Sequence, residues 1–142
     1  MLKSILIFVA GSLLGMATGF AVGLFVYPYL FLADIVANEE VTGREARDVA
    51  ATGSFVHVNP ADPIHYGRGQ VVVYRDLVHL EDDFEVGPGP KFHVYLVPAS
   101  EITTASEVRD SMYVDLGRLP AFKGSQNYRV PAGLDVADFG SV

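Results

Sequence analysis

The chain has 142 residues, of which half are apolar, and a formal net charge of −7. Lys3 is the only charged side chain before Asp34, so residues 34–142 carry all 17 acidic residues against 9 basic ones. A domain this acidic is repelled by phosphate backbones, which excludes nucleic acid as a partner. The absence of cysteine excludes disulfide bonds, thiolate nucleophiles, cysteine-ligated zinc and iron–sulfur clusters within these residues.

Residues 5–26 form an uncharged, apolar run that predicts a membrane-spanning helix. The run corresponds to about 33 Å of helix, enough to cross a hydrocarbon core of about 30 Å. Tyr27 and Tyr29 follow it, and such amphipathic rings are typical of a membrane interface. A signal peptide cleaved near residues 35–37 is the alternative, but the apolar region of a signal peptide is usually only about 7–15 residues long. We therefore expect residues 1–33 to be an uncleaved, single-pass anchor.

Four glycines occur at every fourth position of this helix: Gly11, Gly15, Gly19 and Gly23. Positions four apart drift by only about 40° around the helix axis, so the four glycines share one face. Repeated GxxxG spacing lets two helix backbones approach closely in lipid, which predicts lateral self-association through this face. Glycine is also simply common in membrane helices, so both interpretations stay open.

The charges that flank the anchor bear on its orientation. Lys3 and the α-amino group favour a cytoplasmic N-terminus, whereas Arg44 and Arg47 lie within about twenty residues of the other end. A short N-terminal tail followed by a long domain is typical of a signal anchor. We therefore expect the N-terminus in the cytoplasm and the domain in the periplasmic or extracellular space.

Residues 34–52 are polar and mixed in charge. We interpret them as a partly helical juxtamembrane spacer between the anchor and a domain that spans residues 53–142. No function is predicted for the spacer.

From residue 53 onwards, short runs of alternating or β-branched residues are separated by turns that contain glycine or proline. Strands are predicted at about residues 55–58, 70–75, 78–80, 92–97, 112–116 and 126–130. Short strands at this spacing predict a mainly β fold, an antiparallel β-sandwich. In the run 92–97, apolar side chains alternate with His93 and Tyr95, so we expect a half-buried strand and place it at the centre of its sheet.

Side chains that could carry chemistry are few. The four histidines, His57, His65, His79 and His93, have no spacing typical of a zinc or haem site. The acidic turn 81–85 lacks the alternating oxygen ligands of a calcium loop. No G-x-S-x-G motif is present, so no nucleophile is predicted. We therefore expect no catalytic residue, no cofactor and no metal.

Six stretches of the domain carry a resemblance to a known family. They are Gly53-Ser54-Phe55, Gly69-Gln70-Val71, Leu80 to Phe84, Gly87-Pro88 with Phe92-His93-Val94-Tyr95-Leu96, Val114-Asp115-Leu116-Gly117-Arg118-Leu119 and Gly124-Ser125-Gln126-Asn127-Tyr128-Arg129-Val130-Pro131. In this order they resemble the DM-thirteen domain, a small β module of the Skeletor group of animal proteins and of many membrane-anchored bacterial proteins. Nearly all are turn or core residues, so they indicate fold rather than chemistry.

The resemblance implies a β-sandwich, usually extracytoplasmic, that acts as an electron-transfer or redox module. In the family that role is assigned to a cysteine in a Trp-Cys pair of the last strand, shortly after a Ser-Val step. The chain reaches Ser141-Val142 without a cysteine, so we expect a sandwich that lacks this strand and is only marginally stable.

The expected function is therefore that of a membrane-anchored, non-enzymatic electron-transfer module with an unknown redox partner, whose redox cysteine lies beyond residue 142. The alternative is a non-catalytic tethered domain that binds a protein or polysaccharide partner.

Overall fold

The computed structural model describes residues 1–27, 35–57 and 59–142. These residues form one long N-terminal helix, one short helix and eight strands, so the fold is mainly β, as the sequence predicts. The helices are α1 (Leu2–Tyr27) and α2 (Ala105–Arg109). The strands are β1 (Val36–Asn38), β2 (Val49–Phe55), β3 (Gly67–Tyr74), β4 (Leu77–Leu80), β5 (Glu85–Val86), β6 (His93–Leu96), β7 (Val114–Arg118) and β8 (Lys123–Arg129). Short 3-10 helices lie at Arg44–Ala46 and Val136–Asp138.

The larger sheet has six strands, and β4 lies in its interior. The strand order is β1-β8-β4-β3-β2, with β5 paired to both β3 and β8. The strand pairs are antiparallel except that of β1 with β8, which is parallel. Val78 and Leu80 are 0% exposed and His79 between them is 2% exposed, so β4 is buried on both faces.

Among the described residues, the second sheet consists of β6 and β7. Val94 and Leu96 of β6 belong to the same core cluster as Val78 and Leu80 of β4. The two sheets therefore share one hydrophobic core, an arrangement that is compatible with the predicted sandwich.

Among the described residues, the run 92–97 is not the central strand that the sequence predicts. The alternation itself is confirmed, because Val94 and Leu96 are buried while His93 is exposed. In the part of the chain that the structure describes, however, β6 has β7 as its one neighbouring strand, with His93 opposite Arg118. Alternation indicates that one face is buried. It does not indicate how many strands pair with this one, because paired strands lie along the hydrogen-bonding direction and not on the faces.

The larger sheet begins earlier in the chain than the sequence predicts. β2 ends at Phe55, so the predicted strand at 55–58 is wrong for Val56 and His57, and Val58 lies outside the described residues. Residues 49–54 of β2 are exposed at the edge of the sheet. A strand that is exposed on both faces has no apolar alternation, so the sequence contains no signal for it.

The segment 34–52, interpreted as a spacer, contains β1 and most of β2. β1 pairs with β8, placing Ala37 opposite Gly124. Gly124 has a φ of +86°, and a Cβ there would lie 2.1 Å from the carbonyl oxygen of Ala37, so this pairing requires glycine. The Glu39 carboxylate accepts a hydrogen bond of 2.9 Å from the backbone N–H of Asn127. Strand pairing and this hydrogen bond thus hold the segment against the larger sheet.

Gly69 in β3 lets the turn before β5 pack against the sheet. Its φ is +114°, and a Cβ at this position would lie 2.4 Å from the Cα of Phe84. The turn can approach β3 this closely only because residue 69 has no side chain. Phe84 is thereby held in the core, where its ring meets that of Phe55 edge-on at 5.2 Å.

None of the side chains of α1 is buried. Among the described residues it is the one helix that is long and apolar enough, by length and composition, to cross a membrane. The helix fits the predicted anchor. Tyr29, predicted to lie at the membrane interface, is outside the described residues.

Candidate functional site

The four histidines do not converge on one point. His79 is buried in β4, and its Nδ1 lies 2.8 Å from Oδ1 of Asn127. His57 and His65 lie between β2 and β3, whereas His93 is on β6. In the described ranges, no three His, Cys, Asp or Glu side chains are grouped so that they could hold a metal ion. The expected absence of a metal site stays a prediction.

An apolar groove of about 200 Å³ runs along β6, and we call it the β6 groove. His93, Val94 and Tyr95 all line it, although successive side chains of a strand point to opposite faces. The groove therefore follows the edge of the strand and not one of its faces. Ile102 and Val108, before and within α2, close one side. The remaining walls include Phe55, Gly67, Phe84, Val86, Leu119 and Val142.

The edge of β6 beside this groove is paired at one point. The N–H of Val97 donates to the carbonyl oxygen of Ser141 at 2.9 Å, and the N–H of Ser141 donates back to Val97 at 3.1 Å. Such a two-way exchange is typical of antiparallel strands. Within the described residues, no strand continues this pairing along His93–Leu96.

A half-exposed polar cluster lies at this strand. Nδ1 of His93 is 2.9 Å from Oδ2 of Asp115. Tyr95 stacks on His93 with an interplanar angle of 16°, and it meets Tyr113 edge-on at 4.9 Å between ring centroids. The hydrogen bond from His93 lowers the pKa of the Asp115 carboxyl, and burial raises the pKa of the Tyr95 phenol. At neutral pH Asp115 is therefore ionised and orients the His93 ring.

Glu85 fixes the opposite wall of the groove. Its carboxylate accepts hydrogen bonds from Arg68 and, at 2.8 Å, from the Tyr66 hydroxyl, and Nζ of Lys123 lies 3.8 Å away. The hydrogen bonds from Arg68 and then Tyr66 lower the pKa of Glu85 below its ordinary value of 4.5. This one side chain thus ties β3, β5 and β8 together next to Val86, which lines the groove.

The glycines predicted to form an association face all lie within α1. A Cβ placed on Gly11, Gly15, Gly19 or Gly23 meets no heavy atom within 4 Å, so this face is open in the described structure. Self-association through it stays a prediction.

The sequence did not predict the β6 groove. Its walls come from β2, β3, β5, β6, the segment around α2 and the last two residues, which are far apart along the chain. The signal that could have pointed to it is the polar pair His93 and Tyr95 in an otherwise apolar strand. That pair was interpreted only as the solvent face of the strand.

Together, an apolar N-terminal helix and a two-sheet domain define a small β module with one helix long and apolar enough to cross a membrane. The family model described as Electron transfer DM13 matches residues 61–142, more than half of the chain. The chain belongs to this family, and the resemblance to the DM-thirteen domain is confirmed. Searches of curated proteins and of solved structures give no significant match.

The Glu85→Gln variant should be less stable than the unaltered chain by about 1 kcal/mol at pH 7, because its partner Arg68 is largely exposed and screened by water. The pKa of Glu85 is depressed in the folded state, so its contribution is fully present above pH 4.5 and is lost as the pH falls through the folded value. The difference between the two proteins should therefore shrink in acid. Urea unfolding of the chain in detergent, followed by tyrosine fluorescence at several pH values, measures it.

The exposed residue Glu101, changed to Gln, is the matched control and should leave stability unchanged at every pH. A Glu85→Gln difference that is equally large at low pH would contradict the assigned role of the carboxylate.

Proposed function

We propose that the chain is a membrane-anchored, extracytoplasmic electron-transfer module. The observation that carries this proposal is the match of residues 61–142 to an electron-transfer family. The matched region contains β6, β7 and most of the groove lining. The match does not favour the alternative of a non-catalytic domain that binds a protein or polysaccharide.

The redox-active group has to come from outside these residues if it is a thiol, because the chain contains no cysteine. We place its docking point at the β6 groove. The apolar walls of the groove exclude water, and a lower local dielectric strengthens the electrostatic effect of neighbouring groups on a redox centre. His93, held by Asp115, is one of the lining side chains that can exchange hydrogen bonds with such a group, and Tyr95 and Ser141 are others.

Protein purified from its native membrane in mild detergent should give a reversible wave in protein-film voltammetry. The wave should be absent when residues 1–142 are produced alone, because the group that carries the electrons lies outside these residues. The same preparation should show no Soret band and negligible transition metal, even when the cells are supplied with haem.

If the native preparation gives no reversible wave in voltammetry, the electron-transfer proposal is wrong. A Soret band that is lost in the His93→Ala variant would instead show that the chain holds haem itself, contrary to the expected absence of a cofactor.

The anchor proposal is that α1 crosses the membrane once with its N-terminus in the cytoplasm. The length and apolar composition of α1 support a span, and Lys3 supports the orientation. The domain would then lie in the periplasmic or extracellular space.

Because the chain has no cysteine, single-cysteine variants report topology directly. Met112→Cys, at a side chain that is 87% exposed, should react with a membrane-impermeant maleimide in intact cells. Ser4→Cys, which keeps Lys3, should react only after the membrane is permeabilised. The reverse labelling pattern would overturn the orientation, and a mature chain that begins near residue 38 would overturn the uncleaved anchor.

We also propose that α1 self-associates through its glycine face. The support is the spacing of Gly11, Gly15, Gly19 and Gly23 and the open space beside each of them. Gly15→Ile should lower the dimer fraction several-fold, because a branched side chain holds the two backbones apart. Ala17→Ile, about 200° away around the helix, is the control. Energy transfer between labelled chains in lipid bilayers measures the dimer fraction, and equal effects of the two variants would refute the glycine interface.

A further inference from the structure

The chain contains neither cysteine nor tryptophan, so one-electron oxidants act chiefly on its tyrosines. The tyrosines of the domain differ in their surroundings. Tyr74 and Tyr128 are only 1% and 5% exposed, and the hydroxyl of Tyr66 donates a hydrogen bond to the Glu85 carboxylate. The two tyrosines that remain in the domain lie on the second sheet, and their rings are in contact.

The pairing of β6 with β7 brings Tyr95 and Tyr113 together. Tyr95 lies opposite Asp115, and Tyr113 precedes Asp115 by two residues, so the three side chains share one face of the strand pair. It is the face away from the core, because the neighbouring Val94 and Leu96 are buried on the other side. Diagonal neighbours across paired strands are within reach of aromatic side chains. The two ring centroids lie 4.9 Å apart, with an interplanar angle of 71°.

The pair is both positioned and accessible. His93 stacks on Tyr95, and Asp115 orients His93 through a contact of 2.9 Å between Nδ1 and Oδ2. Tyr113 is 43% exposed, so an oxidant in solution can reach the pair. Burial, together with the charge of Asp115, raises the pKa of the Tyr95 phenol. At neutral pH this phenol is therefore protonated, and it releases its proton when it loses an electron.

We propose that Tyr95 and Tyr113 are a site of oxidative modification, at which the two rings are joined into one dityrosine. A haem peroxidase supplied with hydrogen peroxide takes one electron from each phenol, and each phenol releases its proton to water. The two phenoxyl radicals then form a carbon–carbon bond between the ring positions next to their oxygens. The hydrogen atom at each of these positions moves to the oxygen, which restores both phenols. The two electrons and two protons reduce one molecule of hydrogen peroxide to two of water.

The cross-link would join β6 to the residue just before β7 and close the loop 96–112, which contains α2. A covalent link across a loop restricts the unfolded chain and thereby stabilises the folded one. No cysteine is present to do this by a disulfide. The inference goes beyond the proposed function, because the oxidised groups belong to the chain itself and no redox partner is required.

The test treats the full chain in lipid nanodiscs with a haem peroxidase and hydrogen peroxide. Trypsin cuts after Lys91, Arg109 and Arg118, so the two tyrosines fall in separate peptides, residues 92–109 and 110–118. Mass spectrometry should find these two peptides joined, with two hydrogen atoms fewer than their summed mass. The linked pair should come from material that runs as a single chain on a denaturing gel. In urea its yield should fall at least tenfold, because unfolding separates the rings.

Variants locate the modification. Tyr95→Phe and Tyr113→Phe should each abolish the linked pair, because phenylalanine forms no phenoxyl radical. Tyr66→Phe, at a half-buried tyrosine outside this contact, is the matched control and should leave the yield unchanged. The oxidised chain should unfold at a higher urea concentration than the untreated chain, whereas oxidised Tyr113→Phe should show no shift. The peptide map of the unaltered chain tests the site even if a variant does not fold.

Cross-links spread evenly over the other tyrosines, or found only between chains, would overturn the site. An equal yield in urea would show that the fold does not position the two rings. Oxidation confined to Met112, without a linked pair, would also overturn the proposal. Protein from membranes of cells exposed to hydrogen peroxide should carry the same linked pair, and its absence there would refute a modification in the cell. None of these readouts depends on the voltammetric wave, so failure of one proposal leaves the other standing.

Discussion

The structure depends on β4, a four-residue strand hydrogen-bonded on both sides and buried on both faces. It joins β3 to β8, and its Val78 and Leu80 lie in the core that the two sheets share. Burial of each such side chain is worth about 1.5–3 kcal/mol, whereas an exposed ion pair such as Arg47 with Asp76 is worth about 0–1 kcal/mol. The core, and not the many ion pairs of this acidic domain, therefore decides whether the sheets hold together.

The two sheets pack against each other, and among the described residues β6 has β7 as its one paired strand. An unpaired strand edge beside an apolar groove is a liability in a soluble domain, because it is a template for aggregation. Val97 and Ser141 pair at one end of this edge, which sets the direction of any strand in line with Ser141.

Much of the fold could be predicted, because the strands that pack on the core carry an apolar periodicity. β3 and β6 were found within a few residues, and the family resemblance was recognised from turn and core residues. β2 was missed because its exposed residues give no period, and β1 was missed because three residues are too few to show one. The functional residues were harder still: His93 and Tyr95 were visible, but their relation to Asp115 and Tyr113 depends on the pairing of β6 with β7.

By itself the sequence determined the apolar N-terminal helix, the β character of the domain and its acidity, because each of these follows from composition or from periodicity along a short stretch. The family was indicated by the resemblance of particular turn and core residues and not by composition or periodicity. Only the tertiary structure decided that, among the described residues, β6 pairs with β7 alone in its sheet, and that residues far apart in the chain form a groove beside β6. The physical reason is that apolar alternation reports which face of a strand is buried. Hydrogen-bonded neighbours attach along the perpendicular direction, on which a single sequence carries no periodic signal.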